Sequence, residues 1–268
     1  MTIPFTKAHG AKNDFLLTWG SDALPAAEGR RSAAIAICDR HTGVGADGWI
    51  IVSTGTAGAH GSIQLFNSDG SDAEISGNGT RCAAAFLIDG GVTEDVIRVE
   101  TGAGRKDLSL LERDGNRYLF EMNMGVAAVK DEHVRFALPL TSGPQDVTIL
   151  DVGNPQCAVF VDDFSIDWRS MGREIESHPQ FPKKTNVSFV RVIDEHTVDV
   201  RFYERGAGET MSSGTGSTGA AAAAIVRGVV TSPVQVTTPA GPLNLRRDGS
   251  NLFLVGPAEI VAKGEFFL

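Results

Sequence analysis

The chain carries one signature twice. Ser76-Gly-Asn-Gly-Thr-Arg-Cys-Ala-Ala-Ala-Phe and Ser213-Gly-Thr-Gly-Ser-Thr-Gly-Ala-Ala-Ala-Ala lie 137 residues apart (213 − 76), about half of the 268-residue length. The offset holds without a gap. From Ser76 to Leu108, about fourteen of the thirty-three positions match their counterparts, among them Gly91-Val92 with Gly228-Val229 and Val99 with Val236. Upstream, Phe66-Asn67 falls on Tyr203-Glu204, and His41 on His178. A repeat of this length, occurring twice, is not a solenoid. It describes an internal duplication into two similar α/β domains, each near the ~100–200 residues usual for a domain, and it predicts a site where they face each other.

Each copy reads alike locally. A strand-like segment (Ile63 to Phe66; Val198 to Tyr203) leads through a polar turn and Ser-Gly-x-Gly into a run of alanine. Alanine is the best helix former, and small side chains let such a helix sit close to surrounding strands. Gly90-Gly91 and Gly228 stop the two helices. Alternating segments at Val96 to Glu100 and Val234 to Thr238 read as strands ended by Ala-Gly turns. Asp114-Gly115-Asn116 marks a hairpin within Lys106 to Met124. Two further helices are expected over Arg30 to Arg40 and Trp168 to His178.

Composition narrows the function classes. With 33 acidic against 24 basic residues, a formal net charge of −9, the chain shows neither the basic excess nor the basic stripe of a nucleic-acid binder. Its longest apolar run, Ala220 to Val226, is far short of the ~18 residues of a membrane span, and MTIPFTKAHG has no apolar core of a secretory signal. Cys38, Cys82 and Cys157 are odd in number and widely spaced, which argues against a disulfide framework or structural zinc and for buried packing residues. The six histidines form no metal-ligand spacing. A cytoplasmic location follows as the expectation.

Glycine, 31 residues, is in excess and clustered. Ser-Gly-x-Gly ahead of a helix lets backbone approach a ligand, and the free N–H groups of the first turn favour an anion. Two such turns could clasp one carboxylate. Serine is also among the best N-caps, so Ser76 and Ser213 read either as caps or as site hydroxyls; retention of the serine and both glycines in each copy favours a site. Neither turn is a phosphate loop or a dinucleotide fingerprint, so no nucleotide cofactor is expected. Asn13-Asp14 reads equally as a turn or as a site element, and Gly153-Asn154-Pro155 is a turn signal by type whose asparagine precedes an apolar run, Cys157 to Val161, that reads as buried. Glu204-Arg205 is either a surface ion pair, worth little, or a clamp in which Arg205 grips a carboxylate.

Taken together, Lys7-Ala-His-Gly-Ala-Lys-Asn-Asp-Phe, Asp39-Arg-His-Thr-Gly-Val-Gly-Ala-Asp-Gly, Phe66-Asn-Ser-Asp-Gly-Ser, Gly77-Asn-Gly-Thr-Arg-Cys, Gly153-Asn-Pro and Tyr203-Glu-Arg-Gly-Ala-Gly-Glu-Thr resemble diaminopimelate epimerase, in order from about residue 5 to the end. The resemblance implies an α/β (α+β) fold of the proline racemase type: two pseudosymmetric halves, each a curled β-sheet or barrel around a central helix. The halves would be 1–122, completed by a C-terminal strand 260–268, and 123–259. It implies cofactor-independent inversion of one stereocentre of diaminopimelate, between the LL and meso forms, for lysine and peptidoglycan precursor synthesis, by a homodimer with a small-molecule amino-acid substrate. One group would remove the α-proton from one face while another delivers a proton to the other. Gly77, Asn78, Gly214 and Thr215 would bind the α-carboxylate and stabilise charge developing there. Asn13, Asn67, Asn154, Asn186, Glu204 and Arg205 would hold the rest of the substrate.

The chain departs from the family at the centre. The family's acid–base pair is two cysteines, and Ser76 and Ser213 stand there; Gln156 replaces the histidine usual after Gly-Asn-Pro. A cysteine titrates near 8.5 and water near 15.7. Forming an alkoxide therefore costs ~7 pH units more, or ~10 kcal/mol at ~1.36 per unit, before its greater basicity and the helix dipole return part. Glu204 is the candidate base that would activate a serine. Three explanations remain open: an active enzyme with natural serines, cysteines replaced to trap a ligand, or a binding protein that has lost the chemistry. A racemase or dehydratase of a hydroxylated amino acid is a related alternative.

Overall fold

The computed structural model describes residues 2–24, 27–55, 58–73 and 75–268. The chain divides into two compact units, residues 1–122 with 256–268 and residues 123–255. The second crossing, at 255/256, comes slightly ahead of the 259/260 expected from the sequence.

Unit 1 contains β1 (Thr2–Gly10), β2 (Asn13–Trp19), α1 (Ala27–Cys38), β3 (Gly48–Thr54), β4 (Gly61–Asn67), β5 (Asp72–Ala73), α2 (Gly77–Asp89), β6 (Val96–Thr101), β7 (Gly104–Asp114) and most of β8 (Arg117–Val126). Unit 2 contains β9 (Ala128–Val129), β10 (Phe136–Leu140), β11 (Gly143–Asp151), β12 (Pro155–Phe160), α3 (Trp168–Glu176), β13 (Asn186–Asp194), β14 (Thr197–Glu204), β15 (Gly208–Thr210), α4 (Gly214–Val226), β16 (Val234–Thr238) and β17 (Gly241–Asp248). β18 (Asn251–Phe267) begins in unit 2 and ends in unit 1.

The two units follow one path. In unit 1, β1 pairs antiparallel with β2, β2 parallel with β3, β3 antiparallel with β4, β4 antiparallel with β5 and parallel with β6, and β6 antiparallel with β7. In unit 2, β11, β12, β13, β14, β15, β16 and β17 repeat that series with the same senses. In unit 1 the ring closes: β7 pairs with β8, β8 with β18, and the end of β18 with β1. A closed ring leaves no free sheet edge.

The alanine-rich helices occupy the centres. α2 touches β1, β2, β3, β4 and β6, and α4 touches β11, β12, β13, β14, β16 and β17. Every residue of α2 from Gly77 to Ile88 and of α4 from Gly214 to Ala224 is buried. A helix enclosed on all sides has no polar face, which is why alanine, glycine, serine and threonine fill it. α1 and α3 instead pack one face onto a sheet. On α3, Trp168, Gly172, Ile175 and Glu176 are buried, and a Cβ at Gly172 would stand 2.8 Å from Tyr203. Both outer helices end two residues before the sequence predicts. The Asp39 carboxylate accepts from the N–H groups of His41 and Thr42 and starts a turn. His178 precedes Pro179, a position that disfavours helix. All three cysteines are buried, and burial pushes Cys38 and Cys82 up to about 12.

Candidate active site

Both serines cap their helices. Ser76 Oγ accepts from Gly79 N–H at 3.1 Å and its carbonyl from Thr80 N–H at 2.8 Å. Ser213 Oγ accepts from Gly216 N–H at 3.0 Å and its carbonyl from Ser217 N–H at 2.9 Å. Both serines are N-caps, a role that leaves each hydroxyl hydrogen free to donate elsewhere. It also leaves the N–H groups of Gly77 and Asn78, and of Gly214 and Thr215, outside the cap's own bonds. These are first-turn donors at the positive end of a helix dipole, suited to an anion.

Ser213 has a second partner. Its hydroxyl donates to Glu204 Oε1 at 2.6 Å. Glu204 ends β14, and a short turn through Arg205 and Gly206, where φ is +77°, brings the chain back along β15. Thr210 on β15 donates to Glu204 Oε2 at 2.7 Å. Desolvation raises the Glu204 pKa above the ordinary 4.5, and the hydroxyls of Ser213 and Thr210 offset part of that rise. No cation contributes to the shift. Ser213 is thus a buried hydroxyl held between a backbone N–H and a carboxylate that binds its proton more tightly than a solvated one.

The turn after Glu204 is pinned from two sides. Asn186 Oδ1 accepts from Arg205 N–H at 3.0 Å and its Nδ2 donates to the Pro155 carbonyl at 3.1 Å. Glu176, at the end of α3, accepts from Gly206 N–H at 2.9 Å and from Lys184. Asn186, read from the sequence as a substrate contact, spends one end of its amide on each of two backbone groups. The Arg205 guanidinium is exposed and donates to the Lys183 carbonyl at 3.3 Å. Asn154 donates to Thr215 Oγ1 at 3.4 Å and accepts from Gln156 Nε2 at 2.7 Å.

The α2 cluster has amides where the α4 cluster has a carboxylate. Asn67, the counterpart of Glu204, is exposed and donates to Ser71 Oγ at 2.9 Å. Asn78, the counterpart of Thr215, donates to Asn13 Oδ1 at 3.2 Å and accepts from Arg81 at 2.5 Å. Arg81 is fully buried, with Nε on the Pro257 carbonyl and Nη1 on that of Gly77. Burial draws its pKa down to about 10, so it stays charged at neutral pH. Asn13 donates to Asp47 Oδ2 at 2.7 Å, and Arg40 bridges Asp47 and Asp14. Burial pushes Asp14 up, but Arg40 and Lys7 outweigh it and hold its carboxyl low.

Four supporting residues escaped the sequence reading: Thr210, Glu176, Asp47 and Arg81. A signal existed for Arg81, the one charged side chain between Gly77 and Ile88. Among the described residues no group of three or more His, Cys, Asp or Glu could hold a metal.

The comparisons with known proteins agree with one another. The sequence profile of the family described as diaminopimelate epimerase matches residues 5–130 and 148–261. A diaminopimelate epimerase from Pelotomaculum thermopropionicum is 38% identical, covering 98% of each chain. One from Halothermothrix orenii is 35% identical, over 100% of this chain and 99% of its own. Among solved structures, a hydroxyproline epimerase from Agrobacterium vitis superposes with a TM-score of 0.75 at 15% identity, covering 98% of this chain and 90% of that one. A probable proline racemase from Agrobacterium radiobacter gives 0.74 at 14% identity, covering 98% and 92%. Those two establish the fold alone. With the profile and relatives matched along the full length, the chain belongs to the diaminopimelate epimerase family.

Proposed function

We propose that the protein interconverts LL- and meso-diaminopimelate by cofactor-independent transfer of the α-proton, with serines in place of cysteines, in the synthesis of lysine and peptidoglycan precursors. The observation that supports it most is the Ser213–Glu204 couple at 2.6 Å. A lone serine cannot serve as a general base at neutral pH. A serine that passes its own proton to a carboxylate as it receives another never becomes a free alkoxide. In that step the α-proton moves to Ser213 Oγ, the Ser213 hydroxyl proton moves to Glu204 Oε1, and the electron pair of the broken C–H bond spreads into the substrate's carboxylate. The first-turn N–H groups of Gly214 and Thr215 stabilise charge that accumulates on a bound carboxylate, and those of Gly77 and Asn78 offer the same donors in the other unit. Ser76 gives its hydroxyl proton to the opposite face of the α-carbon, and the alkoxide it leaves, supported by Gly79 N–H and the helix dipole, regains a proton from solvent as Glu204 releases its own to solvent. Ser76 has only an amide, Asn67, at the position of Glu204.

In this reading Asn13, Asn67, Asn154 and Arg205 contact the substrate directly, and Asn186 acts by holding the Arg205 turn. The enzyme is taken to be a cytoplasmic homodimer acting on a small amino acid, with no nucleic-acid or membrane partner. The net charge of −9 argues against a nucleic-acid partner. No helix of the described residues is long and apolar enough to cross a membrane. Proton NMR of LL- and meso-diaminopimelate in D₂O tests the proposal, since the α-hydrogen signal should wash out only with active protein. Washout no faster than with Ser76→Ala/Ser213→Ala refutes it. Saturable binding without washout identifies a binding protein instead.

A further inference from the structure

Gln156 is buried beside the α4 cluster and takes no part in the proton transfer described above. It is 2% exposed and lies on β12 opposite Asn186 of β13. Its side chain crosses Gly219 of α4, where a Cβ would come within 3.0 Å of its Cγ. Nε2 donates to Asn154 Oδ1 at 2.7 Å, while Oε1 has no hydrogen-bond partner. A primary amide at this depth is costly when half satisfied. Turned over, Gln156 would bury its NH₂ without an acceptor where a single carbonyl oxygen is now bare, the costlier arrangement, so Nε2 faces Asn154 and its bond fixes a choice that Asn154 could make either way.

The two ends of the Asn154 amide exchange on a half-turn about χ2, and one end accepts where the other donates. Donation from Gln156 holds Oδ1 and leaves Nδ2 to face Thr215 Oγ1 at 3.4 Å. Thr215, accepting there, keeps its hydroxyl hydrogen free to donate, and its backbone N–H lies outside the cap's bonds. Asn154 Nδ2, the Thr215 hydroxyl and the N–H groups of Gly214 and Thr215 then form a surface of donors. A carboxylate accepts only. Turned the other way, Asn154 would set a carbonyl oxygen against it.

We propose that Gln156 is a positioning residue: by donating to Asn154 it orients that amide toward Thr215 and keeps this end of α4 a donor surface for the substrate's carboxylate. Glutamine does not titrate, so the orientation holds across the pH range in which the protein is folded. The inference rests on the epimerase reading for the identity of the anion, but not for the orientation of Asn154.

A double-mutant cycle tests it. Gln156→Leu should weaken diaminopimelate binding, measured by calorimetry, about tenfold, the scale of one hydrogen bond to a charged group. In an Asn154→Ala background the same change should alter affinity less than about twofold, because Gln156 acts through Asn154. Equal losses in the two backgrounds overturn the proposal. A ligand-free measurement runs beside it. NOEs between the Asn154 side-chain amide protons and the Thr215 side chain should be present in the unaltered protein and lost in Gln156→Leu; their persistence overturns the proposal. Should Gln156→Leu fail to fold, the near-isosteric Gln156→Glu serves: once ionised it accepts from Asn154 and turns it, so those NOEs should vanish as pH rises, and NOEs unchanged with pH overturn the proposal. If the unaltered protein binds no diaminopimelate, the epimerase reading falls and the NOEs alone decide the role of Gln156.

Discussion

Replacing Glu204 with glutamine separates the chemistry from the fold. The amide keeps the outline of the carboxylate: its oxygen can accept from Ser213, as Oε1 does at 2.6 Å, and its NH₂ can donate to Thr210 Oγ1, now at 2.7 Å from Oε2. It cannot take a proton. A positioned general base contributes about 10²–10⁴-fold, or ~2.7–5.4 kcal/mol at ~1.36 per tenfold, and solvent exchange of the diaminopimelate α-hydrogen should slow by that factor. Stability should move the other way. The folded state raises the Glu204 pKa by desolvation, so between the unfolded value and the folded one the native protein holds more proton than the unfolded chain, and stability falls as pH rises through that window. Glu204→Gln removes this loss, so above the window the variant should melt no lower than its parent. In the parent, exchange should fall as pH is lowered through the raised pKa. NMR washout across pH, with thermal melts of both proteins, is the assay. A variant exchanging within about threefold of its parent, or parental exchange that does not decline toward pH ~4, refutes the Ser213–Glu204 base.

Other changes test neighbouring steps. Ser76→Cys/Ser213→Cys brings the acid–base pair to a pKa near 8.5 and should raise exchange about 10²-fold or more; no gain in NMR washout would mean the serines do not occupy the proton-transfer positions. Gly216→Ala places a Cβ 2.8 Å from Phe202 and 2.9 Å from Ser213 Oγ, so it should lower stability by ~1–3 kcal/mol and abolish exchange; a melt at the parental temperature would refute the close packing. Arg81→Met strips the Pro257 carbonyl and Asn78 Oδ1 of their donor, at ~1–3 kcal/mol for each acceptor left unpaired, and denaturant midpoints should fall accordingly. The diaminopimelate isomer whose α-hydrogen meets Ser213 should exchange in D₂O much faster than the isomer whose α-hydrogen meets Ser76; equal initial washout of the two would contradict the assignment of Glu204 as the working base.

The architecture was legible because the duplication survives in the sequence at one offset. α2 and α4 begin at Gly77 and Gly214 and end at Asp89 and Val226, each pair 137 apart, and β4 and β14 end on Asn67 and Glu204 at the same interval. Glycine and alanine recur at the same positions there because small side chains let an enclosed helix sit close to the strands around it. The first-turn donors were legible too, since N–H groups outside the cap follow from Ser-Gly-x-Gly opening a helix. What the sequence withheld was orientation. That Glu204 turns back onto Ser213 depends on the tight turn at Gly206 and on Thr210, whereas Arg205, its neighbour, points to the surface. Asn186 and Asn154 are both asparagines beside the α4 cluster, yet one is spent on backbone and the other is set by Gln156. Residue type and spacing carry no information on which end of an amide faces a ligand.

Duplication supplied two copies of a capped, buried helix, and the copies have since diverged in the one property that proton transfer needs. At the position ending β4 an amide remains that can neither take nor give a proton at neutral pH; at the position ending β14 there is a desolvated carboxylate bonded to the capping serine. With thiols at both caps the difference would matter little, because a thiol near 8.5 already reaches its thiolate close to neutrality. With hydroxyls it governs the proposed reaction. In that mechanism Ser213 abstracts while its own proton passes to Glu204, whereas Ser76 can abstract only from an alkoxide formed beforehand, supported by Gly79 N–H and the helix dipole. Solvent exchange of each isomer reports abstraction at one serine, so the two half-reactions have separate barriers. The strain of the missing carboxylate falls on the half-reaction at Ser76, and a carboxylate restored there by Asn67→Asp should speed exchange of the slower isomer while leaving the faster one unchanged.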